Sequence, residues 1–275
     1  MTDQIIPAYV INLDRRTDRA RHMERELGQA GITYTRVSAL DAQVATDAEI
    51  GKEVALTGAK IGMGRGSQCC AITNFDIYRT LLATDAPAAL ILQDDIAIDP
   101  DLRLFLTDLD WLPAHIGLVQ FEKFGRARST RLAGPAQDCG RAGRKLHQMY
   151  SRTAGAGCYL ITRHIAWLIL DQKPLLNMPI DHFLFSPNVS PLFKKMNVGF
   201  VAPAMARQKM EAIASDLAQD RTARISSKTL AQRLRRLGQE TNKVPQQLWA
   251  MAKGARMVEF SVPAALLNEA QNVRD

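Results

Sequence analysis

The chain has 275 residues, of which 47% are hydrophobic and 23% charged, and its formal net charge is +7. This is ordinary globular composition, long enough for one large domain with a full core or for one domain with an appendage. No segment approaches the roughly 20 apolar residues that a membrane span needs, the N-terminus lacks a secretory signal pattern, and the four cysteines lack the spacing of a zinc site or a disulfide framework. We therefore expect a cytoplasmic protein.

The positive charge is concentrated in two segments. Residues 221–256 contain nine Lys or Arg and a single acid, Glu240, and residues 126–152 contain seven Lys or Arg and a single acid, Asp138. A basic segment indicates an anionic partner, which can be phosphate, nucleic acid, acidic glycan or membrane lipid.

The first elements along the chain predict a parallel βαβ unit. Ile5–Leu13 is a short apolar run rich in β-branched residues and predicts a buried strand. Arg19–Ala30 has the periodicity of an amphipathic helix that ends at Gly31, and Ile32–Ser38 predicts a second strand. Strand, helix and strand in this order favour a parallel crossover unit.

The rest of the chain continues the alternation of strands and helices. A glycine-rich loop over Gly58–Gly66 precedes a predicted helix over Ser67–Ala83. A further helix is predicted over His164–Leu170. Further strands are predicted over Ala88–Leu92, Ile116–Phe121, Gly157–Thr162 and Val198–Val201. The arginine-rich segment after Phe121 has no clear period and is predicted to be a loop or a flexible hairpin. Together the pattern favours an α/β layered fold.

Two adjacent acids, Asp94 and Asp95, follow the apolar strand Ala88–Leu92. Ligands of open α/β sheets bind beyond the carboxyl ends of the strands, and two carboxylates held together there favour a neutralising cation. Oxygen ligands of this kind suit Mg²⁺ or Mn²⁺, which usually bridges substrate phosphates. The alternative is a loop that begins with two solvated acids and caps the next turn.

A second candidate lies in the segment Pro179-Ile180-Asp181-His182. Asp181 follows a proline turn and precedes an apolar stretch, so it is a candidate catalytic acid or base, and the alternative is an N-cap aspartate. His182 is a candidate for metal binding or proton transfer, and the alternative is an ordinary surface histidine.

Together these segments resemble glycosyltransferase family 25, which includes bacterial lipooligosaccharide galactosyltransferases and animal collagen galactosyltransferases. The resemblance begins with YVINLDRRTDRARHMERELGQAGITYTRVSALDA and continues through the helix from Gly66, LILQDD, GAGCYLIT, PIDHFLF and VGFVAPAMARQ. These segments occur in the family's order over roughly residues 6–216.

The resemblance implies a GT-A-like nucleotide-diphosphosugar transferase fold over residues 1–216, with a basic helical C-terminal extension over residues 217–275. It also implies a UDP-sugar donor, often UDP-galactose, a Mn²⁺ or Mg²⁺ ion, inverting transfer and a glycan or glycolipid acceptor. Carried over by position, the nucleotide contacts are Asn12, Leu13, Arg15, Ala39, Asp41 and Asp94. Asp94 and Asp95 correspond to the acidic metal motif, and Asp181 corresponds to the downstream acid, here the candidate general base.

The chain departs from the family pattern at three positions. Gln93 stands where the acidic motif usually begins with Glu, and Ser67 and Asn74 stand where the helix usually has Glu and His. These changes raise an alternative function, that of a homologue that binds a nucleotide-sugar or glycan without efficient turnover. A nucleic-acid-binding protein is a further alternative that the basic tail suggests, but the body lacks a zinc-finger, RRM or helix-turn-helix signature, so no nucleic-acid partner is expected.

The basic tail predicts a peripheral membrane contact through residues 221–256. Apolar residues recur there at roughly helical spacing between arginines, and after Pro245 there is a second apolar set. A basic amphipathic helix with Trp and Leu on its apolar side is typical of an element that binds an anionic membrane surface, here the inner membrane. The alternative is that these helices pack on the domain. The first set is Ile225, Leu230, Leu234 and Leu237, and the second is Leu248, Trp249, Met251 and Met257.

Overall fold

The computed structural model describes residues 4–57, 59–209 and 243–268. Its central element is an eight-stranded sheet, and two small two-stranded sheets flank it. The strands are β1 (Ala8–Asn12), β2 (Thr35–Ser38), β3 (Ala88–Gln93), β4 (Ile96–Ile98), β5 (Leu118–Gln120), β6 (Arg128–Ala133), β7 (Gln137–Asp138), β8 (Lys145–Gln148), β9 (Cys158–Thr162), β10 (Val198–Ala202), β11 (Ala206–Gln208) and β12 (Arg256–Ser261). The helices are α1 (Thr17–Ala30), α2 (Asp47–Gly51), α3 (Arg65–Leu82), α4 (Arg163–Gln172), α5 (Ile180–Phe185), α6 (Phe193–Met196), α7 (Lys243–Ala252) and α8 (Ala264–Asn268), with a 3₁₀ helix at Pro100–Leu106.

The central sheet separates two apolar layers. In β1, Tyr9 and Ile11 face the layer formed with α3, α4 and α5, whereas Ala8 and Val10 face the layer formed with α1 and the 3₁₀ helix. Successive side chains of a strand point to opposite faces, so a strand covered on both faces is apolar at every position. This explains why β1 and β3 are continuous apolar runs.

Strand direction determines where the ends of the strands meet. The sheet order is β2-β1-β3-β9-β5-β10-β8-β7, with β1 parallel to β2 and β3, and β5 parallel to β10. Strand β9 runs antiparallel to both of its neighbours, β3 and β5. Therefore β1, β2, β3, β5 and β10 all end at one edge of the sheet, which we call the carboxyl edge, and β9 begins there.

This architecture confirms the predicted α/β fold class. The predicted strands and helices of the first 200 residues are present, although β2 begins at Thr35 rather than Ile32 and α3 begins at Arg65 rather than Ser67. For the arginine-rich segment the sequence predicts a loop or a flexible hairpin; β7 and β8 form a hairpin there, but the segment also contains strand β6, which was not predicted. Strand β6 (RSTRLA) lacks the alternation of polar and apolar residues that is typical of a strand, and its pairing with the distant β12 could not be predicted from the local sequence.

The described part of the predicted extension packs against the main domain. Strand β12 pairs with β6 over six residues, and Phe260 is fully buried in the larger apolar layer. The extension is thus not helical throughout. The first apolar set of the tail, residues 225–237, and the predicted boundary at residue 216 lie outside the described residues, so the domain division stays a prediction.

Four residues of the second apolar set remain exposed to solvent. Leu248, Trp249 and Met251 on α7 and Met257 on β12 are 45–62% exposed, whereas Ala250 faces inward and is buried. Within the described ranges, no helix has both the length and the hydropathy needed to cross a bilayer.

Candidate functional site

The carboxyl edge brings the predicted site residues together. Leu13 and Arg15 follow β1, Ala39 and Asp41 follow β2, and Asp94 and Asp95 follow β3. The start of β9 and the end of β5 continue the same edge on the other side of β3. The edge is therefore divided by the two adjacent acids into a β1–β2 side and a β9–β5 side.

Asp94 is a buried carboxylate with two strong partners. Asn12 Nδ2 donates to its Oδ2 at 2.7 Å, and Arg19 Nη1 donates to its Oδ1 at 3.0 Å. The side chains of Arg19 and Asp94 are only 7% and 9% exposed, so the guanidinium neutralises the carboxylate away from solvent. The interpretation of Asp94 and Asp95 as two solvated acids is therefore wrong.

Asp95 contacts strand β11 and the residue that follows it, which are far from Asp95 in sequence. Gln208 Nε2, from β11, donates to Asp95 Oδ2 at 2.6 Å, and the backbone amide of Lys209 donates to the Asp95 carbonyl at 2.8 Å. Gln208 Oε1 is buried and has no hydrogen-bond partner among the described residues. The amide oxygen and the carboxylate thus lie side by side.

The β1–β2 side is held by a network of polar contacts. Arg15 Nε donates to Asp41 Oδ2 at 2.8 Å, and the Ala39 amide donates to the Asn12 carbonyl at 2.9 Å. The Gln43 amide and the Arg15 guanidinium hold the pKa of Asp41 below its ordinary value. Leu13 is half-buried at the end of β1. These contacts join the segment that follows β1 to the segment that follows β2.

Asp181 lies in the first turn of α5, whose N-cap is Pro179. The interpretation of Asp181 as an N-cap is therefore wrong. Burial, together with the nearby carboxylates of Asp181, Asp95 and Asp94, raises the pKa of the Cys70 thiol to about 12. The three acids therefore lie near one thiol, although Asp181 is far from Asp94 and Asp95 in sequence.

Two of the departures from the family pattern meet at the same atom. Gln93 Nε2 lies 3.7 Å from Cys70 Sγ, and Asn74 Nδ2 lies 3.8 Å from it. Asn74 also accepts a hydrogen bond from the Tyr159 hydroxyl at 2.5 Å, and Tyr159 in turn contacts Tyr78. The two amides therefore belong to a buried polar network beneath the acids.

Three residues of the site had no predicted role. Arg19 lies on the buried face of α1, Gln208 comes from β11, and Arg152 Nη2 lies 2.9 Å from His182 Nε2. An arginine on the core-facing side of an amphipathic helix was the only sequence signal for Arg19. Nothing local indicates that Gln208 reaches Asp95, since the two residues are 113 positions apart.

The donor set at this edge fits a hard cation only in part. Asp94 is already neutralised by Arg19, whereas Asp95 and the Gln208 amide oxygen are oxygen donors of the kind that Mg²⁺ and Mn²⁺ prefer. The described ranges contain no group of three or more His, Cys, Asp or Glu side chains that could hold a metal ion. A site here would need further ligands from the substrate, as is common for Mg²⁺ bound to phosphates.

Comparisons with known proteins identify similar sequences. The family model "Glycosyltransferase family 25 (LPS biosynthesis protein)" matches residues 5–184, a range that includes every predicted site residue. The lipooligosaccharide biosynthesis protein lic2B of Haemophilus influenzae is 24% identical over 164 residues, which are 56% of this chain and 59% of that protein. A glycosyltransferase 25 family member of Drosophila melanogaster is 28% identical over 186 residues, which are 64% of this chain and 29% of that protein. The chain therefore matches less than two thirds of the length of either relative.

Solved structures give only distant likenesses. A glycosyltransferase involved in glycosylation of the major capsid of PBCV-1 aligns over 80% of this chain and 96% of its own, with a TM-score of 0.36 and 11% identity. The inositol-1-phosphate CTP transferase from T. maritima aligns over 82% of this chain and 98% of its own, with a TM-score of 0.37 and 9% identity.

Proposed function

The chain belongs to glycosyltransferase family 25, and on that premise we propose that it transfers a sugar from a UDP-sugar to a hydroxyl of a bacterial surface glycan such as lipooligosaccharide. Galactose is the first sugar to test. The observation that carries the proposal is the convergence of Asp94, Asp95 and Asp181 around Cys70 at the carboxyl edge, beside the Arg15–Asp41 pair.

The β1–β2 side is the proposed nucleotide-binding side. Arg15 and Asp41 are partly exposed and fix each other's orientation, so they offer a charged donor and a carboxylate acceptor to a ribose or a base. Asn12 and Arg19 donate hydrogen bonds to the two oxygens of Asp94, which fixes the orientation of that carboxylate in the lining of the site. A rigid, pre-oriented wall lowers the entropic cost of binding.

Asp181 is the proposed general base. In an inverting transfer the acceptor oxygen bonds to the anomeric carbon while the bond from that carbon to the phosphate oxygen breaks, and UDP leaves with the bonding electrons. The acceptor proton passes to a carboxylate, a role that contributes typically 10²–10⁴-fold to the rate (order of magnitude). Asp181 lies near the two acids and is half-buried, so an acceptor can reach it.

Asp95 and the Gln208 amide oxygen are the proposed protein ligands of a divalent cation. Mn²⁺ or Mg²⁺, when bound there with the donor's phosphates, would stabilise the charge of the leaving diphosphate. In the protein itself, Gln208 orients the Asp95 carboxylate through the 2.6 Å hydrogen bond.

A UDP-release assay tests the proposal against the alternative of a homologue with little turnover. The wild-type protein is incubated with a panel of UDP-sugars and Mn²⁺, with and without deacylated lipooligosaccharide as acceptor. We expect acceptor-dependent UDP release from one sugar, because Gln93 and Asn74 have internal partners and leave the three acids in place. Tight UDP binding without release from any sugar would instead favour the alternative.

We also propose that the exposed apolar set on α7 and β12 binds an anionic membrane surface from the cytoplasmic side. Trp249, Leu248 and Met251 share the outer side of α7, and Lys253 Nζ lies 5.9 Å from the Trp249 ring centroid. Basic side chains beside Trp and Leu complement anionic headgroups while the apolar side chains enter the interface. The net charge of +8 over residues 221–256 supports a lipid occupant rather than a second copy of the chain.

Liposome flotation tests the membrane contact. The full chain should float with vesicles containing anionic lipid at low salt, and the double variant Leu248→Ser/Trp249→Ser should not. Trp167→Ser is the matched control, because Trp167 is also about half exposed but lies on α4. Flotation of the double variant equal to wild type, or no flotation of wild type, would refute the contact.

A further inference from the structure

Four cations lie together on the β9–β5 side of the carboxyl edge. We call Lys123, Arg131, Arg152 and Arg207 the cationic cluster. The Lys123 amide donates to the Ala206 carbonyl at 2.9 Å, which brings Lys123 beside Arg207. Hydrogen bonds from the Tyr150 amide to the Leu132 carbonyl and from the Leu132 amide to Ser151 Oγ bring the Arg152 segment beside Arg131.

The inner face of β6 presents buried hydrogen-bond donors to this region. Arg131 and Ser129 alternate with the outward Arg128 and Thr130, and they oppose Val258 and Phe260 of β12. Arg131 Nε and Ser129 Oγ are buried without a hydrogen-bond partner among the described residues. Leaving a buried donor unsatisfied is energetically costly, so two such donors on one face of a strand indicate a place for a ligand's acceptor atoms.

The positive charges of the cluster repel one another in a partly buried region. Burial and the charges of Arg131 and Arg207 lower the pKa of Lys123 to about 8, against the opposing effect of Glu122. Burial also lowers the pKa of Arg131, and Arg152 adds to this effect. Among the described residues no salt bridge joins an acid to Arg131 or Arg207, and Glu122 Oε2 accepts from the Gly157 amide at 2.5 Å. An anion would relieve this repulsion.

We propose that the cationic cluster binds a phosphate group carried by the sugar acceptor. Arginine forks and a buried lysine match the several acceptor oxygens and the charge of a phosphate monoester. The cluster lies on the opposite side of Asp94 and Asp95 from the Arg15–Asp41 pair, and Arg152 contacts His182 next to Asp181. That position is next to the proposed general base, where the acceptor has to lie. The inference rests on the proposed function, since it assigns a substrate class to the same site.

The cationic cluster could instead bind the diphosphate of the donor. Binding measurements distinguish a phosphate on the acceptor from the diphosphate of the donor. Glucose 6-phosphate and glucose serve as probes in ligand-observed NMR titrations of the full chain, with and without saturating UDP. UDP affinity is measured in parallel by calorimetry. The variants are Arg131→Gln and Arg207→Gln, and the matched control is Arg128→Gln, because Arg128 lies on the exposed outer face of the same strand. Thermal unfolding checks that each variant is folded.

We expect wild type to bind glucose 6-phosphate at least about tenfold more tightly than glucose, as loss of a hydrogen bond to a charged group would imply. Arg131→Gln and Arg207→Gln should each remove most of that preference, while Arg128→Gln should keep it and UDP affinity should stay within about twofold. Equal binding of the two sugars by wild type would overturn the inference. The inference would also be overturned if Arg131→Gln weakened UDP affinity and left glucose 6-phosphate affinity unchanged. Failure of wild type to bind UDP would contradict the proposed function, whereas the titration without UDP still reports on the cluster.

Discussion

At the scale of single residues, two adjacent acids have different environments. Asp94 is neutralised by Arg19 and held by Asn12, whereas Asp95 is held by the neutral Gln208. The buried guanidinium of Arg19 neutralises the Asp94 carboxylate, whereas the Gln208 amide that donates to Asp95 carries no charge. The two acids therefore have different proposed roles. Asp94 is a fixed part of the site's lining, and Asp95 is the proposed ligand of the cation.

Removing Arg19 should destabilise the protein severely. Arg19→Met would leave the Asp94 charge buried without its guanidinium, a change that costs about 3–5 kcal/mol. Arg15→Met should cost less than about 1 kcal/mol, because Arg15 and Asp41 are partly exposed. The free energy of unfolding, measured by urea denaturation, compares the two variants. A similar cost for both would show that Asp94 does not depend on Arg19.

Asp181→Asn should lower the turnover number while leaving the affinity for the donor nearly unchanged. We expect donor affinity within a few-fold of wild type and a loss of roughly 10²–10⁴ in turnover, the usual contribution of a general base. The control is Asp171→Asn, an exposed acid on α4. Calorimetry measures the affinity and a UDP-release assay measures the turnover. Near-normal turnover of Asp181→Asn would remove Asp181 from the reaction.

The sequence predicted a site residue only where a short segment around it carries the signal. Asp94 and Asp95 could be predicted because the apolar strand that precedes them is unambiguous, and parallel strand ends meet at one edge. The partners that distinguish them, Arg19 and Gln208, are separated from them by 75 and 113 positions. Such pairings depend on packing of the whole chain and leave no local pattern.

At the scale of elements, the segment before β9 shapes the floor of the site. Gly155 has a φ of +90°, and a Cβ there would lie 2.5 Å from Glu122 Oε2. The Gly157 amide donates to the same carboxylate. The tight turn therefore brings the start of β9 against the end of β5 and supports the backbone beneath the cationic cluster.

Gly155→Ala should destabilise the protein more than a glycine substitution with open space. Gly140 also has a positive φ, +62°, but a Cβ added to Gly140 would meet nothing within 4 Å. Gly140→Ala should cost about 1–2 kcal/mol from backbone strain alone, and Gly155→Ala should cost a further 1–3 kcal/mol or so from overpacking. Urea denaturation measures both. Equal costs would mean that Glu122 moves away freely.

Lys123 should make stability depend on pH in the alkaline range. Its folded pKa of about 8 lies below the ordinary value of 10.5, so the unfolded chain binds more protons between these two values. The contribution of Lys123 to stability therefore rises as pH increases from about 8 to 10.5. The melting temperature of wild type minus that of Lys123→Met should increase over this range. A constant difference would show that Lys123 titrates normally.

At the scale of the whole molecule, the α/β class followed from the alternation of apolar runs and helical periods, and the structure confirms it. Strand β12 could not be predicted, because Arg256–Ser261 becomes a strand only through its pairing with β6, more than 120 positions away. Among the described residues of the extension, Phe260, Val262 and Leu266 are buried, whereas the second apolar set on α7 and β12 is exposed.

The arrangement of charges along the carboxyl edge indicates on which side each proposed substrate binds. Arg15 and Asp41 lie on one side, the three acids lie in the middle, and the cationic cluster lies on the other side. A donor bound on the first side and an acceptor bound on the second would meet at Asp181. The central claim is that a sugar nucleotide binds at this edge through Asp95.

Calorimetric titration of UDP in the presence of Mn²⁺ tests that claim most directly. The account predicts that wild type binds UDP in a Mn²⁺-dependent manner and that Asp95→Asn abolishes this binding while its melting temperature stays close to that of wild type. Asp85→Asn, an exposed acid before β3, should bind as wild type does. Unchanged UDP–Mn²⁺ affinity in Asp95→Asn would contradict the account.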